Sequence, residues 1–275
     1  MTALTRRFLA LLLTLTALLP AAAGAEALVL IPGYLEDGGS WRQSGVTRVL
    51  AEAGWRDGGQ LTLGAEGEVQ PGSGEVSGNR RFYTIRIATE APFLAQLRQL
   101  EPLLAWVRAR HPGETLVLAG HSAGGVLARL YMVQHPDSGV DALITVASPH
   151  LGTDTAELGL LAGQSPLAMI APMLGAEVLN RSQGLYYDLA REQPGGFLYW
   201  LNHQPHPDAL YVSVVRRDDS LLGIGDMVVP ARSQDLNQVE ALRGRAQTLY
   251  EGSGHLLQAS DGEVILRILR QLERS

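Results

Sequence analysis

Short apolar runs alternate along this chain with stretches whose apolar residues recur every three or four positions. Ala27 to Ile31 (ALVLI), Phe82 to Ile87, Thr115 to Ala119 (TLVLA), Ala142 to Ala147 (ALITVA), Leu210 to Val215 (LYVSVV) and Gln247 to Tyr250 have the length and residue types of strands. Arg42 to Ala53 reads as a helix, and Pro92 to Arg110 as a longer one that turns Phe93, Leu97, Leu100, Leu104 and Val107 inward, with a kink expected near Pro102. A third helix follows Ser122, with Val126, Leu127, Leu130, Tyr131 and Val133 at helical spacing. A closing helix, capped by Asp261, turns in Val264, Ile265, Ile268, Leu269 and Leu272. Buried strands separated by helices predict an α/β fold, a mostly parallel sheet covered on both faces. Leu61 to Arg80, rich in Gly, Glu and Ser without an apolar period, reads as a surface loop.

Between Asp154 and Pro207 the sheet pattern stops. Leu158 to Leu161, Leu167 to Leu174 and Val178 to Leu179 form an apolar stretch punctuated by Gly and Pro, followed by LYYDLAREQPGGFLYWLN. More apolar residues than one helix face can bury, inserted after a central strand, predict a helical cap over about 154–207 lining an apolar cleft. The plainer alternative is a helical excursion packed on the core.

At 275 residues, 46% of them hydrophobic, the chain can bury one large core, so a single domain is expected. The first residues are read apart from it. Arg6 and Arg7 precede the apolar run Phe8 to Leu19, and Ala23 and Ala25 stand in an A-x-A arrangement. That is the order of a secretory leader, with cleavage after Ala25; the run is shorter than the ~20 residues of a membrane span. Export to the periplasm or beyond the cell is therefore expected, by the general secretory or the twin-arginine route. The domain proper is 26–275.

There is no cysteine, and all 22 cationic residues are arginine. Disulfides, thiol nucleophiles, Schiff-base lysines and phosphate-loop lysines are excluded by inventory. The net charge of −6, more negative still without Arg6 and Arg7, speaks against nucleic acid as a partner. No metal-binding spacing occurs, and neither metal nor cofactor is expected.

The candidate chemistry centres on Thr115 to Tyr131, TLVLAGHSAGGVLARLY. Strand, tight G-x-S-x-G turn and helix would lift the Ser122 hydroxyl clear of the sheet edge and aim the first N–H of the helix at whatever the serine attacks. A serine hydroxyl is a weak nucleophile until a base takes its proton, and imidazole suits that role near neutral pH. His255, in EGSGHLL beyond the last strand, is the candidate base. Asp226, in GIGDMVVP beyond the strand LYVSVV, is the candidate acid that orients it. Asp218 and Asp219 compete for that role but adjoin Arg216 and Arg217, as in solvated ion pairs. After the first strand comes PGYLEDGGSW, where the Tyr34 N–H is placed to serve as a second oxyanion donor. His121 is expected to brace the turn and His150 to be structural. His111, His135 and His206, each before a proline, and His203 read as exposed loop residues.

With LVLIPGYLEDGGSW, LVLAGHSAGGVLARLY, ITVASPHLGT, FLYWLN, GDMVVP and GSGHLL in order from Ala27 onward, the chain resembles the α/β-hydrolase superfamily, within it the secreted bacterial lipase/esterase group that shades into PGAP1-like acyl hydrolases. The resemblance implies ester hydrolysis through an acyl-enzyme on Ser122, backbone donors at Tyr34 and Ala123, and a triad completed by Asp226 and His255. Pro32 stands where many relatives have histidine, and HLLQ lacks the aspartate that calcium-binding lipases carry behind the catalytic histidine.

The reading is an exported serine esterase or lipase, a monomer acting on small-molecule esters or lipids with an apolar acyl group, with transient contact between cap and lipid surface. Acyl transfer to an alcohol, thioester or amide cleavage, and a non-catalytic binding protein on the same fold are the alternatives.

Overall fold

Alternation within single strands decides where each side chain points. In β1 (Glu26–Ile31), Ala27, Val29 and Ile31 enter one apolar cluster while Leu28 and Leu30 enter another, so the strand is buried on both faces. β4 (Arg80–Ile85), β5 (Thr115–His121), β6 (Ala142–Val146) and β7 (Leu210–Val215) contribute in the same way. A computed structural model describes residues 26–75, 78–156, 177–217, 226 and 228–274. The leader, most of the apolar stretch within the inserted segment, and Asp218 and Asp219 lie outside them.

Among the described residues the sheet has eight strands in the order β3-β2-β4-β1-β5-β6-β7-β8, where β2 is Arg56–Leu63, β3 is Val69–Pro71 and β8 is Ala246–Tyr250. Every neighbouring pair is parallel except β2 with β3. One face is covered by α1 (Gly39–Gln43), α2 (Val46–Glu52) and the closing helix, which bring in Trp41, Leu50, Ile265 and Leu269. The other is covered by α3 (Phe93–Arg110) and α4 (Ala123–Gln134). Each large aliphatic or aromatic side chain removed from water here contributes about 1.5–3 kcal/mol before the cost of ordering.

Three sequence expectations need correction. Part of Leu61 to Arg80 is strand: the end of β2, all of β3, which forms the sheet's edge, and Arg80, which begins β4. Strands β2 and β3 are mostly half-exposed and the ladder is irregular between Asp57 and Gln60, so no apolar run announces them. The helix expected over Arg42 to Ala53 is broken in two at Gly45, which adopts φ +87°, a value glycine takes readily. Asp261 is not the cap of the closing helix (Ala259–Leu272). Gln258 is the cap, and Asp261 is its capping-box partner three residues on.

Within the inserted segment, α5 (Glu177–Arg181), α6 (Gln183–Leu189) and α7 (Phe197–Asn202) are described. Leu185, Tyr186, Leu189, Leu198 and Leu201 join the core on the α3 side, and Phe197 packs on Phe93 with ring centroids 5.4 Å apart. These helices follow the plainer reading on their inner side, while Tyr187, Tyr199 and Trp200 face solvent. No helix among the described residues is long and apolar enough to cross a membrane.

Candidate active site

Parallel strands deliver their carboxyl ends to one edge, and the candidate residues collect there. Ser122 follows β5 directly, with φ +50° and ψ −127°, a strained conformation for a residue with a side chain. The turn can close only because its neighbours are small. A Cβ on Gly120 would lie 2.4 Å from Gly125 Cα, and one on Gly124 would lie 2.4 Å from the Pro32 carbonyl oxygen. Helix α4 can therefore cross the ends of β5 and β1 closely, and Ser122 is held at the crossing by its amide, which donates to Val146 O at 2.9 Å.

Ser122, His255 and Asp226, distant in sequence, come together at this edge. His255 Nε2 is 3.0 Å from Ser122 Oγ, and His255 Nδ1 is 2.8 Å from Asp226 Oδ2. The Asp226 side chain is 1% exposed. Its Oδ1 accepts the amides of Val228 and Val229 at 2.8 and 3.0 Å, and Oδ2 also accepts Gln234 Nε2 at 3.1 Å. Burial pushes this carboxyl up, but the hydrogen bond and charge of His255, with the two amides, outweigh it and hold the group below the usual carboxylate range. The arrangement can pass a proton from hydroxyl to imidazole and balance the charge that results.

Tyr34 lies on the loop after β1, directly after Gly33, and Ala123 follows Ser122 as the first residue of α4; the hydrogen bonds formed by the described residues engage neither amide. The Tyr34 hydroxyl reaches away from the edge to Ser182 Oγ at 2.9 Å and the Tyr186 hydroxyl at 2.6 Å, which ties this loop to the inserted helices. Gly33 packs on the nucleophile turn: a Cβ there would stand 2.9 Å from Ser122 Cβ.

Three supporting residues were not apparent from sequence. Gln234 accepts the Arg216 amide while donating to Asp226. Glu36 accepts the Gly33 amide at 2.8 Å. Arg216 is not a solvated partner of the neighbouring aspartates: it is buried and paired with Asp261 through bonds of 2.6 and 2.9 Å, and it donates to the Leu256 carbonyl next to His255. Arg216→Met should leave Asp261 buried without its countercharge and cost about 3–5 kcal/mol. Urea unfolding measures this, and a loss under 1 kcal/mol would show that the pair matters little.

The remaining histidines divide differently from the expectation. His111 is buried and bonded to the Tyr83 hydroxyl, and His206 is buried as well; only His135 and His203 keep substantial exposure. A proline after a histidine marks a turn, and these two turns are packed against the core. His150 is fully buried, away from solvent, and burial, aided by the nearby Arg129 charge, holds its imidazole well below the ordinary value. Among the described residues no three metal-ligating side chains gather.

The family model for the alpha/beta hydrolase fold matches residues 77–167. Three solved structures are similar over nearly the whole chain. The mature lipase BlEst2 of Bacillus licheniformis has a TM-score of 0.55 at 15% identity, covering 93% of this chain and 94% of that one. The product of lin2722 from Listeria innocua has 0.55 at 14%, covering 89% and 91%. A metagenome-derived lipolytic enzyme, LipS or LipT, has 0.55 at 13%, covering 94% and 97%. At such identities the likeness is one of fold, and it does not single out a PGAP1-like subgroup. No curated protein matches by sequence.

Proposed function

Because this chain has the α/β-hydrolase fold, we propose that it is a serine hydrolase of carboxylic esters, an esterase or lipase acting through an acyl-enzyme on Ser122. The observation that carries this reading is the unbroken hydrogen-bonded chain from Ser122 Oγ through His255 to Asp226. His255 Nε2 takes the hydroxyl proton as Oγ attacks the ester carbonyl, and the amides of Tyr34 and Ala123 stabilise the oxyanion. The imidazolium returns the proton to the departing alcohol. Water, deprotonated by the same nitrogen, then releases the acid.

An apolar acyl group is supported by the rim. Leu35 is 56% exposed beside Tyr34, Leu256 is 73% exposed beside His255, and Val228 is exposed beside Asp226. These exposed apolar side chains are carried by the same three loops that bear Tyr34, Asp226 and His255, which supports an apolar approach to that edge. Export, supported by the leader pattern of the first 25 residues, completes the proposal, with a monomer as the working unit.

A series of nitrophenyl esters from acetate to palmitate, with and without emulsion, tests the acyl preference. Each methylene buried in the transition state adds up to about 0.8 kcal/mol, roughly fourfold in kcat/KM. A rise from acetate through medium chains is expected. A steady fall beyond acetate would contradict the apolar acyl site.

A further inference from the structure

Gln234, on the short helix Ala231–Gln234, is 1% exposed, and both polar atoms of its side chain are engaged. Oε1 accepts the Arg216 amide at 2.9 Å, while Nε2 donates to the Val229 carbonyl at 2.7 Å and to Asp226 Oδ2 at 3.1 Å. A side-chain amide can sit either way round. Here the backbone decides: an N–H only donates and a carbonyl only accepts, so the nitrogen of Gln234 is the atom that faces the carboxylate.

That contact completes the carboxylate. An ionised carboxyl has about four acceptor positions, and Asp226 uses two on each oxygen: the Val228 and Val229 amides on Oδ1, Gln234 and His255 Nδ1 on Oδ2. With none left over the group only accepts, and the hydrogen between Asp226 and His255 belongs to Nδ1. A carboxylate whose charge is shared with a neutral donor also holds a neighbouring proton less strongly. The other titratable side chains against the His255 loop are His121, with ring centroids 5.2 Å apart, and Arg216, which donates to the Leu256 carbonyl at 3.1 Å and is neutralised by Asp261.

Resting on the reading of Ser122, His255 and Asp226 as a triad, we propose that Gln234 is a positioning residue for it: held one way round by two backbone groups, it fixes the lone pair of Asp226 that His255 uses and tempers the hold of the carboxylate on the imidazolium. Gln234 thereby joins the amide that follows β7 to the residue that orients the base.

Gln234→Met, similar in length but without a donor, tests this. The acid limb of kcat/KM against pH should move up by about 0.5–1 unit, because an imidazolium facing a carboxylate short of one donor gives up its proton less readily. Plateau kcat should fall by roughly 10-fold through looser alignment, with KM within about twofold. A side chain that merely filled space would leave the limb where it was. A neutron map of the native protein is the second measurement, and it decides even where the variant does not fold: deuterium is expected on Gln234 Nε2 toward Asp226 Oδ2, and on His255 Nδ1. An unmoved limb, an undiminished plateau, or a native map in which Gln234 presents its oxygen to Asp226 would overturn the proposal. Failure of native Ser122 to take a fluorophosphonate would instead remove the hydrolase reading and leave the contact between Gln234 and Asp226 as it stands.

Discussion

Ser122→Ala is expected to lower kcat for a nitrophenyl ester by roughly a millionfold, the scale found when the nucleophile of a serine protease is removed. Alanine deletes only Oγ, the atom 3.0 Å from His255 Nε2. The close crossing at Gly120 and Gly124 is untouched, and alanine bears the positive φ no better or worse than serine. Stability should therefore change little while about 8 kcal/mol of transition-state stabilisation disappears. What remains would come from the Tyr34 and Ala123 amides and from binding alone. Steady-state rates together with thermal melting separate this outcome from unfolding, and retention of more than a hundredth of the native rate would exclude a Ser122 acyl-enzyme.

Asp226→Asn is expected to cost on the order of 10⁴ in kcat, with KM nearly unchanged. An asparagine oxygen can still accept the Val228 and Val229 amides, which then turns its NH2 toward His255 Nδ1 and Gln234 Nε2. Two donors cannot share that contact, so His255 must carry its hydrogen on Nε2, the nitrogen that has to be free to take the serine proton. In the native protein the folded Asp226 carboxyl lies below its unfolded value. Its contribution to stability is thus complete above the ordinary carboxylate range and lost as pH falls through the depressed value. Rates of the variant measured at neutral pH check the assignment, and a loss smaller than tenfold would move the orienting acid elsewhere, with Asp218 and Asp219 the first to try.

What could be read from sequence follows from the range of the interactions involved. Ser122 was legible because strand, glycines and helix are contiguous, so the local pattern carries the geometry. His255 and Asp226 were legible only through their order and their place after strands, since parallel strands bring distant loops to one edge. Gln234, Glu36 and Arg216 carry no such mark: Arg216 finds Asp261 across the ends of β7 and β8, and nothing next to either residue announces it. The edge strand β3 and its neighbour β2 were missed because half-exposed backbone pairing needs no apolar run. His111 and His206 were misplaced because a turn signal says how the backbone bends and not what packs on it.

The central claim is that the ester's acyl group passes through a bond to Ser122 Oγ. The most direct measurement is to mix the protein with a nitrophenyl ester, quench in acid within a turnover, digest, and weigh the peptides. The acyl mass is expected on the peptide that contains Ser122, and is expected to be absent from the Ser122→Ala protein. Acyl mass on another residue, or the same acylation in Ser122→Ala, would contradict it.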